Sequence, residues 1–255
     1  MDSDGNGRTE LSTHEDPIRV SQARVEAAEA LRRLGNALVG HHVEDDYLLD
    51  MAKMADAMLT EVISGERRAR PIDDMKRYVW GIAPGEGDRV NHFPDCVVSG
   101  AANPMGLGMS IWRDGDEAVA RVRLGHAFEG APGRAHGGVV AAIFDDVMGI
   151  VLTIKATPAF TARLTVSYLA PVPVGVELEF RARQTWREGR KLFIAAEATH
   201  EGSVIAEAEG LFIALPPERF GLPPAPDEIR AEAAAVFSGD TPEPPGPGRA
   251  PGTAP

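Results

Sequence analysis

Two adjacent carboxylates, Asp145 and Asp146, lie within GAPGRAHGGVVAAIFDDVMGI, residues 130–150, where a glycine-rich entry runs into an apolar segment. Val140, Ile143, Phe144, Val147 and Val151 recur at helical spacing and form one stripe, while Gly138, Ala141, Asp145 and Gly149 form a second stripe of small residues. A helix that is apolar on most sides is buried on most sides. Desolvating an ionised carboxylate is costly, so a carboxylate in such a helix must be paired, neutralised or put to use. Asp145 sits on the small-residue side, where a ligand or a backbone can approach closely. Asp146 lies about 100° around the helix, beside Val139, Ala142 and Ile150. Periodicity alone leaves both open to solvation or local hydrogen bonding. The entry PGRAHGG adds a sharp turn at the helix start, where unpaired N–H groups and the helix dipole favour negative charge. A carboxylate two turns along the same helix, with an anion site at its start, suits attack on a carbonyl.

The surrounding elements must position this helix. Residues 20–39 and 45–63 each carry apolar residues at helical spacing, with Ser21 as N-cap of the first, and together predict an antiparallel helical hairpin. Residues 67–104 are broken by Pro71, Pro84, Gly85, Gly87, Pro94 and Gly100 and read as a connector. GMSIWRDGDEAVARVRL predicts two strands joined at Asp114 and Gly115. After the helix, ARLTVSYLA, ELEFRARQTW, KLFIAAEAT and SVIAEAEGLFIAL predict four strands with hairpin-like connections, which favours an antiparallel sheet over βαβ units. The organisation expected is an unstructured N-terminus (1–17), a helical hairpin and connector (18–104), an α+β domain (105–216) and a Pro/Gly-rich tail (217–255).

Composition narrows the function classes. The chain has 255 residues, 44% hydrophobic and 25% charged, enough to bury a substantial core. A formal net charge of −12 argues against nucleic acid as a partner, because phosphate neutralisation needs clustered Lys and Arg. The single cysteine, Cys96, excludes an intrachain disulfide and a zinc site built on several thiolates, and suits a reducing cytosol. Seven scattered histidines, of which only His41 and His42 are neighbours, suggest no metal. The acidic N-terminus lacks the basic and apolar regions of a secretory signal, and no window reaches the ~18 apolar residues of a membrane span. The expectation is a soluble cytoplasmic protein without membrane insertion.

The segment HGGVVAAIFDDVMG, with the downstream TARLTVSYLAPVPVG and VIAEAEGLFIAL, resembles the hot-dog-fold acyl-CoA thioesterases of the PaaI-like group. The likeness spans residues 103–215. It implies an antiparallel sheet wrapped around one central helix, an acyl-CoA substrate, no cofactor beyond water, and a homodimer or homotetramer with active sites at subunit interfaces. The family acid follows the histidine by nine positions and falls on Asp145, which leaves Asp146 structural. By resemblance Asp145 is general base on water or nucleophile, and the Gly138 N–H, with Gly137, polarises the thioester carbonyl. His136 positions the turn or the carbonyl, and Thr161, contributed by the partner subunit, orients the water.

The residues themselves leave plainer roles open: His136 as a helix-start residue, Thr161 as the opening of a strand, and the two glycines for close packing. Arg163, Arg190 and Lys191 are candidates for the coenzyme A phosphates, and Phe128, with Pro132, for the acyl entrance. Phe144, Met148 and Leu152 are open to lining the acyl tunnel or to filling core, and core is the preferred reading. His92, in HFPDCVVSG, faintly resembles a motif of hot-dog dehydratases, but two strands intervene before the central helix, so it is set aside. A non-catalytic acyl-CoA-binding protein and a hot-dog hydratase or dehydratase are the alternatives to thioester hydrolysis.

Overall fold

The helix built around the paired aspartates organises the rest of the chain. The computed structural model describes residues 20–69, 79–80, 83–90 and 93–216. The predicted tails at 1–17 and 217–255, and His92, lie outside the described residues. Helices α1 (Gln22–Gly40) and α2 (Asp45–Ser64) precede strands β1 (Ser110–Asp114) and β2 (Glu117–Arg123). A short 3-10 turn at His126–Phe128 and a small hairpin, β3 (Glu129–Ala131) with β4 (Arg134–Ala135), then lead into α3 (Gly137–Ile154). That hairpin is absent from the sequence reading, because two- and three-residue strands carry no periodicity. Strands β5 (Ala159–Tyr168), β6 (Glu177–Glu188), β7 (Lys191–His200) and β8 (Ser203–Ala214) follow.

Six strands form one antiparallel sheet in the order β1-β2-β6-β7-β8-β5. The predicted Asp-Gly turn joins β1 to β2, with Gly115 at φ 59°, a left-handed value that glycine adopts without strain. Arg181 on β6 holds both ends of this turn, donating to Asp114 at 2.7 Å and Glu117 at 2.8 Å. Although β5 follows the helix directly, it pairs at the far edge with β8. The central helix packs across the sheet, in contact with β2, β5, β6, β7 and β8.

The core lies between α3 and this sheet. Val140, Ile143, Phe144, Val147, Met148, Ile150 and Val151 are fully buried, and Leu152 nearly so, which bears out the core reading of Phe144, Met148 and Leu152. Phe144 meets Phe180 of β6 edge to face, with ring centroids 5.1 Å apart. Gly210 of β8 lets the helix close on the sheet: a Cβ there would sit 2.7 Å from Met148 Sδ. At 18 residues α3 is in fact long and apolar enough to cross a membrane, contrary to the window reading above, but its burial against the sheet makes it a core helix.

The two N-terminal helices form as predicted, and Ser21 caps α1 by accepting from the Arg24 N–H at 3.3 Å. Their apolar stripes are less covered than amphipathicity suggested. Only Ala28 of α1 is buried, and α2 has no buried residue. α1 is tied down by polar contacts: Asn36 accepts from the Ala127 N–H at 3.1 Å, and Arg32 donates to the Asn103 carbonyl at 2.7 Å.

Candidate active site

At the start of α3 the chain must satisfy four backbone N–H groups that have no partner within the helix. His136 is the N-cap residue, and its Nδ1 accepts from the Gly138 N–H at 2.9 Å. The His136 carbonyl accepts from Val139 at 2.9 Å and Val140 at 3.2 Å. The Gly137 N–H is left without an acceptor among the described residues. This corrects the expectation for Gly138, whose N–H is committed to the histidine ring by the cap. Because Nδ1 accepts, a neutral His136 carries its proton on Nε2, directed away from the cap. The His136 N–H donates to the Phe128 carbonyl at 2.8 Å, so the 3-10 turn before the hairpin holds the histidine from behind. The Phe128 side chain is half-buried, packs against the core and borders a cavity of about 710 Å³ between α1 and α2, shared with Leu31, Leu34, Leu38, Met51 and Met58.

Two turns along α3, Asp145 is half-buried, and its Oδ1 accepts from the Thr161 hydroxyl at 2.8 Å. Thr161 and Asp145 meet here within one chain, because β5 contacts the helix that it has just left. The threonine engages one carboxylate oxygen and leaves the other without a hydrogen bond among the described residues.

Asp146 differs in kind. The Cys96 thiol donates to its Oδ1 at 3.4 Å, and its Oδ2 is buried with no partner among the described residues. Burial, and after it the adjacent Asp146 carboxylate, pushes the Cys96 thiol above its ordinary range. Asp146 thus meets the 93–100 loop rather than the small-residue face.

The candidate phosphate ligands separate. Arg163, exposed on β5 two positions beyond Thr161, forms no ion pair among the described residues. Arg190 Nε donates to the Ala214 carbonyl at 2.9 Å and holds the end of β8. Lys191 pairs with Glu188 at 3.4 Å. The sequence reading passed over Arg134, which borders a cavity of about 400 Å³ at the start of α3 together with Gly137, Val140, Tyr168 and Leu169. An arginine two positions ahead of a cap followed by two glycines was the available signal. Among the described residues no cluster of three or more His, Cys, Asp or Glu could hold a metal ion.

Residues 132–207, which include the capped turn, both aspartates and Thr161, match the family described as the thioesterase superfamily. Over that segment the core of this chain is similar to the thioesterase superfamily. A bovine (Bos taurus) relative named acyl-coenzyme A thioesterase THEM4 is 28% identical over 174 residues, covering 66% of this chain and 72% of the relative. The Xenopus laevis protein of the same name is 36% identical over 101 residues, covering 39% of this chain. This chain spans under half of that relative, 46% of its length. The crystal structure of a thioesterase superfamily protein superposes with a TM-score of 0.64 at 22% identity, covering 76% of this chain and 92% of the other. That likeness extends the shared fold well beyond the matched family segment.

Proposed function

We propose that this chain is an acyl-CoA thioesterase that hydrolyses its substrate to the free acid and coenzyme A, with Asp145 as its acid–base group. The observation that carries the reading is the Asp145–Thr161 hydrogen bond two turns from a histidine-capped helix start. The names of the bovine and frog relatives support the substrate class.

In the general-base form, the thioester carbonyl oxygen lies at the start of α3, facing the Gly137 N–H and His136 Nε2–H. A water oxygen attacks the carbonyl carbon and gives its proton to Asp145 Oδ2. The negative charge that develops on the carbonyl oxygen falls on donors already oriented, where such stabilisation is strongest. The C–S bond then breaks and the departing thiolate takes the proton back from Asp145. Thr161 holds the carboxylate in one rotamer throughout. In the nucleophilic form the same carboxylate attacks the carbonyl carbon and the C–S bond breaks to expel the thiolate of coenzyme A, and water then hydrolyses the anhydride to the free acid and the restored Asp145.

Arg163 and Arg134 are the arginines we assign to the coenzyme A phosphates. The reading includes a homodimer at least. β5 is an edge strand, with Phe160 and Tyr168 about half exposed, and it carries Thr161 and Arg163.

The test is thiol release from short, long and aromatic acyl-CoAs by wild type, Asp145→Asn and Asp146→Asn. Asp145→Asn should lose roughly 10²- to 10⁴-fold in kcat, while Asp146→Asn keeps most activity. Binding of acyl-CoA without thiol release points instead to a binding protein, and conversion of the acyl chain without thiol release to a hydratase or dehydratase.

A further inference from the structure

Tyr168, the last residue of β5, reaches the start of α3, where its hydroxyl donates to the Gly137 carbonyl at 2.6 Å. The same peptide unit carries the Gly138 N–H on its other side, and that N–H donates to His136 Nδ1 at 2.9 Å. One amide is therefore pinned at both ends, by a phenol and by an imidazole. The tyrosine is 49% exposed, so burial does not force it there. A Cβ added at Gly137 would lie 3.2 Å from the Tyr168 hydroxyl oxygen, so the phenol and the helix start meet about as closely as a glycine allows.

We propose that Tyr168 is a positioning residue for the reaction, acting on His136 through the peptide that joins Gly137 and Gly138. Hydrogen bonds in series polarise one another. The phenol O–H drawn onto the carbonyl makes the N–H of the same amide a stronger donor to Nδ1. That keeps Nδ1 as acceptor and the ring proton on Nε2, where it faces the substrate carbonyl. The bond also fixes the plane of the amide, and with it the direction of the neighbouring Gly137 N–H. Nothing local to the helix would do this, since the Gly137 carbonyl otherwise has only its bond within the helix. The proposal rests on the thioesterase reading for its kinetic consequence but not for the relay itself.

The experiment is Tyr168→Phe, which keeps the ring and removes only the hydroxyl. The tautomer of His136 is read by nitrogen NMR of the seven histidines, with His136→Gln identifying its signals. Wild type should show His136 with hydrogen on Nε2, and Tyr168→Phe a shift towards a mixture of the two tautomers. In thiol release, kcat should fall about 3- to 10-fold, the worth of one hydrogen bond, with KM unchanged. A tautomer identical in wild type and variant overturns the relay. A shifted tautomer with unchanged kcat overturns its role in the reaction. If wild type releases no thiol from any acyl-CoA, the thioesterase reading fails, and the tautomer comparison still decides the relay.

Discussion

Thr161 and Cys96 each touch one of the two adjacent carboxylates, and the contacts predict opposite chemistry. The Thr161 hydroxyl is the one donor to Asp145 among the described residues, and a hydrogen bond to a charged group is worth about 1.5–3 kcal/mol. Thr161→Ala should therefore lower kcat about 10- to 100-fold, and Thr161→Ser should recover most of it; equal rates for all three proteins would remove Thr161 from the site. Cys96 is held as a thiol by burial first and by Asp146 second. Thiolate is the reactive form, so alkylation by iodoacetamide at neutral pH should be slower than for an exposed cysteine and faster in Asp146→Asn. The linkage has a sign. With its value raised in the folded state, Cys96 retains its proton where the unfolded chain has lost it. Its contribution to stability is present below the ordinary thiol range and is lost as pH rises through the raised folded value. Alkylation at the same rate in the folded and urea-unfolded protein would contradict this assignment.

At the scale of elements, the stability of the molecule is concentrated where α3 meets the sheet. Phe180 is fully buried against Phe144, and Phe180→Ala should cost about 3–5 kcal/mol. Gly210→Val puts new atoms against Met148 and Phe212, and should cost about 1–3 kcal/mol through overpacking. The N-terminal hairpin predicts the reverse: Val62 of α2 is 76% exposed, and Val62→Ser should stay within about 0.5 kcal/mol of wild type. Urea midpoints for the three variants check the ranking, and a large shift for Val62→Ser would show that α2 is packed against something in solution.

For the whole molecule, the open edge of the sheet is the feature with the widest consequence. An edge strand with unpaired backbone groups invites a second strand, and lysines on such an edge oppose it. Thr165 and Ser167 are exposed on β5. The proposed edge pairing predicts that the double variant Thr165→Lys, Ser167→Lys sediments as a smaller species than wild type in sedimentation velocity. A wild type that sediments as a monomer would refute edge pairing outright. Because Thr161 and Arg163, which we assign to the proposed site, lie on this strand, blocking the proposed pairing should lower turnover as well.

Local periodicity by itself determined the central helix, most of its buried face, the two N-terminal helices and the strands from β1 to β8 apart from the short β3–β4 hairpin, because burial on one face imposes a repeat within each segment. The nine-residue step from His136 to Asp145 came instead from the resemblance to the family motif, and the structure puts His136 at the cap of the helix that carries Asp145. Contacts between distant segments were decided only in the folded chain. Asp146 meets Cys96 across 50 positions and Gly137 meets Tyr168 across 31, and no repeat within either segment encodes those meetings. Strand order belongs with them, since β5 follows the helix in sequence yet closes the far edge of the sheet, where it brings its own Thr161 to Asp145. The Gly138 assignment failed at a finer level. Whether a cap histidine turns its ring onto the second amide is a matter of rotamer and backbone geometry, and residue type and spacing are silent on both.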